Sequence, residues 1–241
     1  ARTWRRAHPL HVDVRRQNGK AYCMLGECEI SVNRYEALKA MGDRSFTTLY
    51  YLGVSQYADN WPYGARDNLL EAHKKNPMDV NVLYYLAKAC ARSSWKEEGI
   101  AYMNKAFDMV VPTDSMMIRL YDGLLECYKF HTKADPYEKI EVMKEAYSYT
   151  KKYTLFYQIA EIYDYQKDYV NAVHYYEKYM ALVPKNKQTA LDSEGNPLPN
   201  ADTMYQKARR RVEKIKVEDF FRNGAHDDYF EPKVIRTQTK K

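Results

Sequence analysis

The chain has 241 residues, a formal net charge of +6 and 29% charged residues. Its length allows one or two domains. No apolar stretch approaches the ~20 residues that a membrane-spanning helix needs, so the sequence predicts no transmembrane segment. Nine glycines and nine prolines are few for this length. Long periodic apolar runs without alternating strands indicate an all-α protein.

The N-terminal region is strongly basic. The first twenty residues carry six arginine and lysine side chains against Asp13 alone. We interpret residues 1–18 as a basic N-terminal extension, because a charge run of this kind is usually a solvated terminus. Residues 19–43 then contain apolar and aromatic positions whose spacing is similar to the start of the segments that follow.

Two segments next in the chain share one spacing, 34 residues apart. In residues 46–79 a large and a small residue are followed by spaced small or apolar residues and a proline: Leu52, Gly53, Ala65, Leu69, Ala72 and Pro77. Residues 80–112 repeat the series with Leu86, Ala87, Gly99, Met103, Ala106 and Val111, and the proline, Pro112, follows one residue later. Repetition at this period is typical of stacked helical hairpins.

A third copy follows after a longer interval. Residues 153–184 contain Ile159, Ala160, Ala172, Tyr176, Tyr179 and Pro184 at the same spacing. The interval from Ala87 to Ala160 accommodates one more unit with an enlarged turn, so we predict a degenerate copy at residues 115–150. Residues 19–43 are a second degenerate copy.

Each copy predicts a helix, a turn and a second helix. The paired small residues allow two helix axes to approach to about 8–10 Å, and the closing proline suits a helix stop. These positions resemble the tetratricopeptide repeat (TPR) family, over residues 19–184. The resemblance implies an all-α, right-handed α-solenoid of TPR-like helical hairpins.

The C-terminal region leaves the repeat pattern. Residues 185–201 are rich in Asp, Ser, Gly, Asn and Pro, which predicts a loop. Residues 202–222 return to helical spacing with Ala208, Val212 and Ile215 on one apolar face, so we predict a capping helix that covers the last open face of the array. Residues 223–241 form a basic tail.

The sequence offers little for catalysis. It has no Gly-rich phosphate loop, no His-Glu-x-x-His motif and no nucleophile elbow. His8 and His11 resemble half of a metal site, but no partner ligands are spaced to complete it. The four cysteines form no Cys-x-x-Cys pair, and we interpret them as structural thiols. We therefore predict a protein that is not an enzyme and has no cofactor and no metal.

The resemblance implies that the first helices line a groove that receives a peptide segment or a partner helix. Family alignment turns nine candidate binding residues into this groove: Tyr50, Tyr57, Asn81, Tyr84, Lys88, Arg92, Tyr157, Glu161 and Tyr165. Lys88 and Arg92 lie one turn apart and are the predicted contacts for an anionic group. The position of Tyr50 argues against the lysine and asparagine clamp of chaperone-tail binders.

We accordingly predict a non-catalytic protein–protein interaction scaffold with a protein or peptide ligand. The alternative is a structural subunit of a larger assembly, such as one of the cell envelope, anchored through its basic termini. Nucleic acid is not favoured, because no basic motif is interleaved with aromatic residues. The tyrosine-rich composition looks like that of bacterial envelope-associated family members, which favours the envelope or periplasm, with the cytoplasm as the alternative.

Overall fold

The computed structural model describes residues 9–190 and 203–223 of the chain. Within these residues every regular element is a helix. They run in chain order as α1 Pro9–Leu25, α2 Cys28–Ala40, α3 Phe46–Ala58, α4 Pro62–Lys75, α5 Val80–Ala91, α6 Lys96–Asp108, α7 Asp114–Phe130, α8 Pro136–Thr150, α9 Thr154–Tyr165, α10 Tyr169–Leu182 and α11 Met204–Asn223. The prediction of an all-α fold of helical hairpins is confirmed.

The helices form two compact units, residues 1–134 and 135–241, here called unit 1 and unit 2. In unit 1, α1 packs on α2, α3 on α4, and α5 on α6, and α7 packs on both α5 and α6. Unit 2 holds α8 to α11, with α10 packed on α9 and α11 on α10. The boundary falls in the turn between α7 and α8, so the degenerate copy predicted at residues 115–150 is divided between the units.

The small residues of the repeat lie where paired helices cross. A Cβ atom added to Gly53 on α3 would stand 2.5 Å from the Leu69 side chain and 3.1 Å from the Ala65 carbonyl on α4. A Cβ on Gly99 of α6 would stand 2.8 Å from the Ala87 carbonyl of α5. These distances are shorter than van der Waals contact, so the spacing found in the sequence follows from close backbone approach.

The ends of the helices follow local capping chemistry. Ser45, Asp79 and Thr113 precede α3, α5 and α7, and each side chain accepts a hydrogen bond from a backbone N–H of the first turn. Pro62 and Pro136 occupy the first turns of α4 and α8, where no intrahelical donor is lost. Helices α3, α5 and α7 therefore each begin at a side-chain cap.

The N-terminal boundary differs from the prediction. The segment assigned to an extension, residues 1–18, contains the beginning of α1, which runs from Pro9 and buries Val12 in unit 1. Residues 19–43 consequently hold the end of α1 and all of α2. Their hairpin places Tyr35 against Gly19, where an added Cβ would meet the Tyr35 ring at 2.7 Å. Residues 1–8 lie outside the described part.

Unit 2 has a continuous apolar core that includes Phe156 and Ile159 of α9 and Val173 and Tyr176 of α10. Helix α11 contributes its predicted apolar face, Ala208, Val212 and Ile215, each at most 5% exposed. It therefore covers α10 as the capping helix was expected to. The loop predicted at residues 185–201 begins with a 3-10 turn at Lys185–Lys187. Residues 191–202 and the tail from 224 onward lie outside the described part.

Candidate binding surface on the first helices

Four tyrosines of α3 and α5 form a contiguous aromatic cluster in unit 1, in which Tyr57 and Tyr84 are buried and Tyr50 and Tyr85 are partly buried. The Tyr85 ring is central, with centroid distances of 6.3 Å to Tyr50, 6.2 Å to Tyr57 and 5.2 Å to Tyr84, all edge-to-face. Such pairs stabilise by about 0.5–1.5 kcal/mol beyond the area they bury. We call these tyrosines and the polar residues around them the tyrosine face. Its members are Tyr50, Tyr57, Asn81, Tyr84, Tyr85, Lys88, Arg92, Arg119 and Glu126.

The tyrosine face contains a cluster around one carboxylate, Glu126 of α7. Lys88 Nζ lies 3.0 Å from its Oε2, and Arg92 Nε donates to its Oε1 at 2.8 Å. The Tyr57 hydroxyl also donates to Oε1. Both cations lie over the Tyr57 ring, at 5.0 Å for Lys88 and 4.6 Å for Arg92. A single carboxylate thus joins three side chains from two helices.

Electrostatics keep Glu126 ionised although its side chain is only 19% exposed. Burial raises the pKa of Glu126, but hydrogen bonds from Tyr57 and Lys88 and the nearby positive charges outweigh it, and the pKa falls below its usual range. Burial lowers the pKa of Lys88, but its hydrogen bond to Glu126 and nearby negative charge raise it overall. Burial, reinforced by Glu126, raises the pKa of the Tyr57 hydroxyl.

This cluster corrects one expectation from the sequence. Lys88 and Arg92 are adjacent as predicted, but they are not an open site for an external anion, because Glu126 already pairs with both. Glu126 lies 34 residues beyond Arg92, in a copy of the repeat that keeps little of its pattern. A carboxylate one repeat downstream of a basic pair was the only signal that sequence reasoning could have used.

A second residue that sequence reasoning missed is Arg119 of α7. Its guanidinium carbon lies 4.5 Å from the Tyr84 ring centroid and 6.0 Å from that of Tyr85. Its Nη1 donates to Asn81 Oδ1 at 2.8 Å. Asn81, predicted as a groove residue, therefore orients an arginine. The structure brings together all six predicted residues of unit 1: Tyr50, Tyr57, Asn81, Tyr84, Lys88 and Arg92.

The three predicted residues of unit 2 are less closely grouped. Tyr157 of α9 makes edge contacts with Tyr176 at 5.5 Å and Tyr179 at 5.3 Å. Burial and its hydrogen bond to Glu161 raise the pKa of Tyr157 to about 12. Burial also raises the pKa of Glu161. Tyr165 ends α9 with 86% of its surface exposed, and no aromatic ring in the described part of the chain stacks on it.

The capping helix α11 reaches the same side of α9. Arg211 donates from Nε and Nη2 to the two carboxylate oxygens of Asp164, each at 2.6 Å, in a two-pronged pair. The Tyr176 hydroxyl donates to the same carboxylate at 3.5 Å. Asp164 lies on α9, the helix that also carries Tyr157 and Glu161, so in unit 2 the capping helix pairs with a side chain of that helix.

Groups of the kind that bind metals are absent from residues 9–190 and 203–223, where no three His, Cys, Asp or Glu side chains converge. The described helices also include none with the length and apolar character to cross a membrane. Cys90 and Cys127 are buried free thiols, as predicted. Cys23 on α1 and Cys28 on α2 are free thiols too.

Comparison with known proteins identifies the fold of this chain. No protein-family model and no curated protein matches the chain. Solved structures do match. The C-terminal part of a TPR repeat-containing protein from Cytophaga hutchinsonii has a TM-score of 0.64 and 16% identity, covering 86% of this chain and 74% of that one. The chain has the tetratricopeptide repeat fold.

Two further structures share this tetratricopeptide fold. MamA from Desulfovibrio magneticus RS-1, from residue 41 to its end, has a TM-score of 0.58 and 13% identity, over 71% of this chain and 94% of that one. YrrB, described as a TPR protein with an unusual peptide-binding site, has a TM-score of 0.55 and 13% identity, over 69% and 84%. At sequence identities this low, the similarity to these solved structures shows the fold alone.

Proposed function

We propose that the protein is a non-catalytic protein–protein interaction scaffold that binds a peptide segment or partner helix on the tyrosine face of unit 1. The observation that carries this is the contiguous set of tyrosine rings flanked by three cations on the first helices. Tyrosine and arginine are the residues most enriched at energetically important contacts. YrrB, which shares the fold, is described as having a peptide-binding site.

The residues divide into two roles. Tyr50, Tyr84 and Asn81 contact the ligand, together with the outer edge of Arg92. Lys88 and Glu126 position the Tyr57 ring, since both engage it directly. In unit 2, Tyr157, Glu161 and the exposed Tyr165 are a further contact surface for the same partner class.

A second candidate function is a structural subunit of a larger assembly, anchored at its ends. It is favoured by large apolar side chains exposed in the first hairpin and in the last helix. Met24 and Leu25 are 76% and 75% exposed, and Phe221 of α11 is 80% exposed. Exposed apolar clusters of this kind mark interaction surfaces.

Pull-down from the native source distinguishes the two, using wild type beside Asn81→Ala/Arg92→Ala. Both replaced side chains are exposed, so folding measured by circular dichroism should be unchanged. The matched control is Lys74→Ala/Lys105→Ala, two exposed lysines on second helices. Binding on the tyrosine face predicts a partner that the first variant loses and the control keeps. A partner that both variants retain contradicts the proposal and favours the structural subunit.

A further inference from the structure

Positive charge on the tyrosine face exceeds its own carboxylate. Lys88 and Arg92 share Glu126, whereas Arg119 is held by a neutral amide, Asn81. An arginine has five N–H donors. Within the described residues, only Asn81 accepts a hydrogen bond from Arg119. The guanidinium therefore retains both its charge and most of its donors for a ligand.

The Arg119 guanidinium is also held in place. It lies against the Tyr84 ring at 4.5 Å while Asn81 Oδ1 fixes one of its nitrogen atoms. Tyr84 itself is only 9% exposed and hence well fixed. A planar, fixed guanidinium matches the geometry of a carboxylate and loses less side-chain freedom on binding than a mobile one.

Beside this cation lie the buried Tyr84 ring and the partly exposed rings of Tyr85 and Tyr50. An isolated exposed cation attracts any anion, but aromatic rings beside a cation can also contact the side chain next to the anionic group. The combination favours a segment that carries a carboxylate next to an aromatic or aliphatic residue over a compact inorganic anion.

Building on the proposed function, we propose that the tyrosine face binds an acidic peptide segment, with one carboxylate paired to Arg119 and the neighbouring side chain lying on the partly exposed rings of Tyr85 and Tyr50. Arg119 is then a specificity-determining residue that the family alignment did not select. Lys88 and Arg92 contribute positive potential, while their direct pairing stays with Glu126.

The probe is an array of acetylated, amidated hexapeptides with Glu or Asp at one varied position, each beside its Gln or Asn counterpart. We expect wild type to prefer the acidic member about tenfold or more, the range for a charge-assisted hydrogen bond. Arg119→Met should abolish that preference, and Arg119→Lys should retain part of it. The matched control is Arg66→Met, an arginine 3.6 Å from the Trp95 ring and outside the tyrosine face.

Each outcome decides one point. An acidic preference that survives in Arg119→Met overturns the assignment. A second outcome is that neutral and acidic peptides bind wild type equally tightly, and that Asn81→Ala/Arg92→Ala binds neither. This outcome overturns the assignment of Arg119 but preserves the proposed function. Failure of every peptide to bind overturns both. Parallel arrays with a free C-terminus or with phosphotyrosine test other anions, and a preference for phosphotyrosine over Glu would also overturn it.

A spectroscopic measurement guards against misfolding of the variants. The Arg119 Nε–H resonance of wild type should shift on addition of a selected acidic peptide, and it should not shift with the matched Gln peptide. A shift of equal size with both peptides would contradict a carboxylate contact.

Discussion

Replacement of Asp43 tests how the first hairpin is attached in unit 1. Asp43 follows α2, and its side chain is 1% exposed. Its carboxylate accepts hydrogen bonds from Arg16 Nε at 2.8 Å, the Thr48 hydroxyl at 2.7 Å and the Ser45 N–H at 3.1 Å. One buried carboxylate therefore links α1 to the beginning of α3, and Asp43→Asn keeps its shape while removing its charge.

The expected magnitude follows from the pKa. Burial raises the pKa of Asp43, but the hydrogen bonds and charge of Arg16, together with Thr48 and Ser45, lower it from 3.8 to about 2. Because the folded pKa lies below the unfolded one, the ionised group stabilises the fold fully above about pH 5. That contribution is about 2 kcal/mol at neutral pH. It falls to roughly half at pH 3 and is nearly lost by pH 2.

Tryptophan fluorescence is a suitable assay, because Trp61 and Trp95 lie in unit 1 and no tryptophan occurs in the sequence of unit 2. Urea unfolding at pH 7 should show Asp43→Asn about 2 kcal/mol less stable than wild type, with the difference shrinking to about half at pH 3. The control is Asp67→Asn, whose side chain is 73% exposed, and it should change little at either pH. An equal loss at pH 3 and pH 7 would refute the electrostatic reasoning and indicate lost packing.

Three further changes, one of them with a matched control, have expected outcomes. Glu126→Gln should lower the free energy of unfolding of unit 1 by about 1–3 kcal/mol, because Lys88 and Arg92 lose their counter-charge, and urea titration followed by tryptophan fluorescence measures it. Gly99→Ala should cost about 1–3 kcal/mol, since its Cβ meets the Ala87 backbone. Gly64→Ala, which meets only the half-exposed Trp61 ring, should cost less in the same titration. Arg211→Met should increase hydrogen exchange of α11 amides by about tenfold, since Asp164 loses a two-pronged partner, and unchanged exchange would contradict this.

The sequence predicted the hairpins well because their spacing reflects a steric requirement. Gly53 and Gly99 stand where any Cβ would collide with the partner helix, and such positions must recur with the period of the stack. Helix starts were predictable for a related reason. Pro136 and the caps Ser45 and Asp79 act through their immediate neighbours, so the signal is local.

The first helix was missed because its signals are not local. Helix α1 has no acidic residue in its first turn and carries Gly19, a poor helix former, in its interior. Its support comes from elsewhere: Arg16 pairs with Asp43, 27 residues away, and the Tyr35 hydroxyl donates to the Arg16 carbonyl at 2.8 Å. Tertiary contacts therefore stabilise a segment whose composition alone indicates a solvated terminus.

The same distinction separates the predicted from the unpredicted part of the tyrosine face. Tyr50 and Tyr84 were found because the repeat defines which residues of a first helix point to one side. The charges on that surface were not predicted, because they depend on side-chain pairs between repeats. These pairs are Glu126 with Arg92 and Arg119 with Asn81. A repeat pattern specifies positions on one helix, whereas ligand preference depends on which charges remain after neighbouring helices have paired. In this protein Lys88 and Arg92, the basic pair visible in the sequence, both pair with Glu126, whereas Arg119, one repeat later, pairs with a neutral amide.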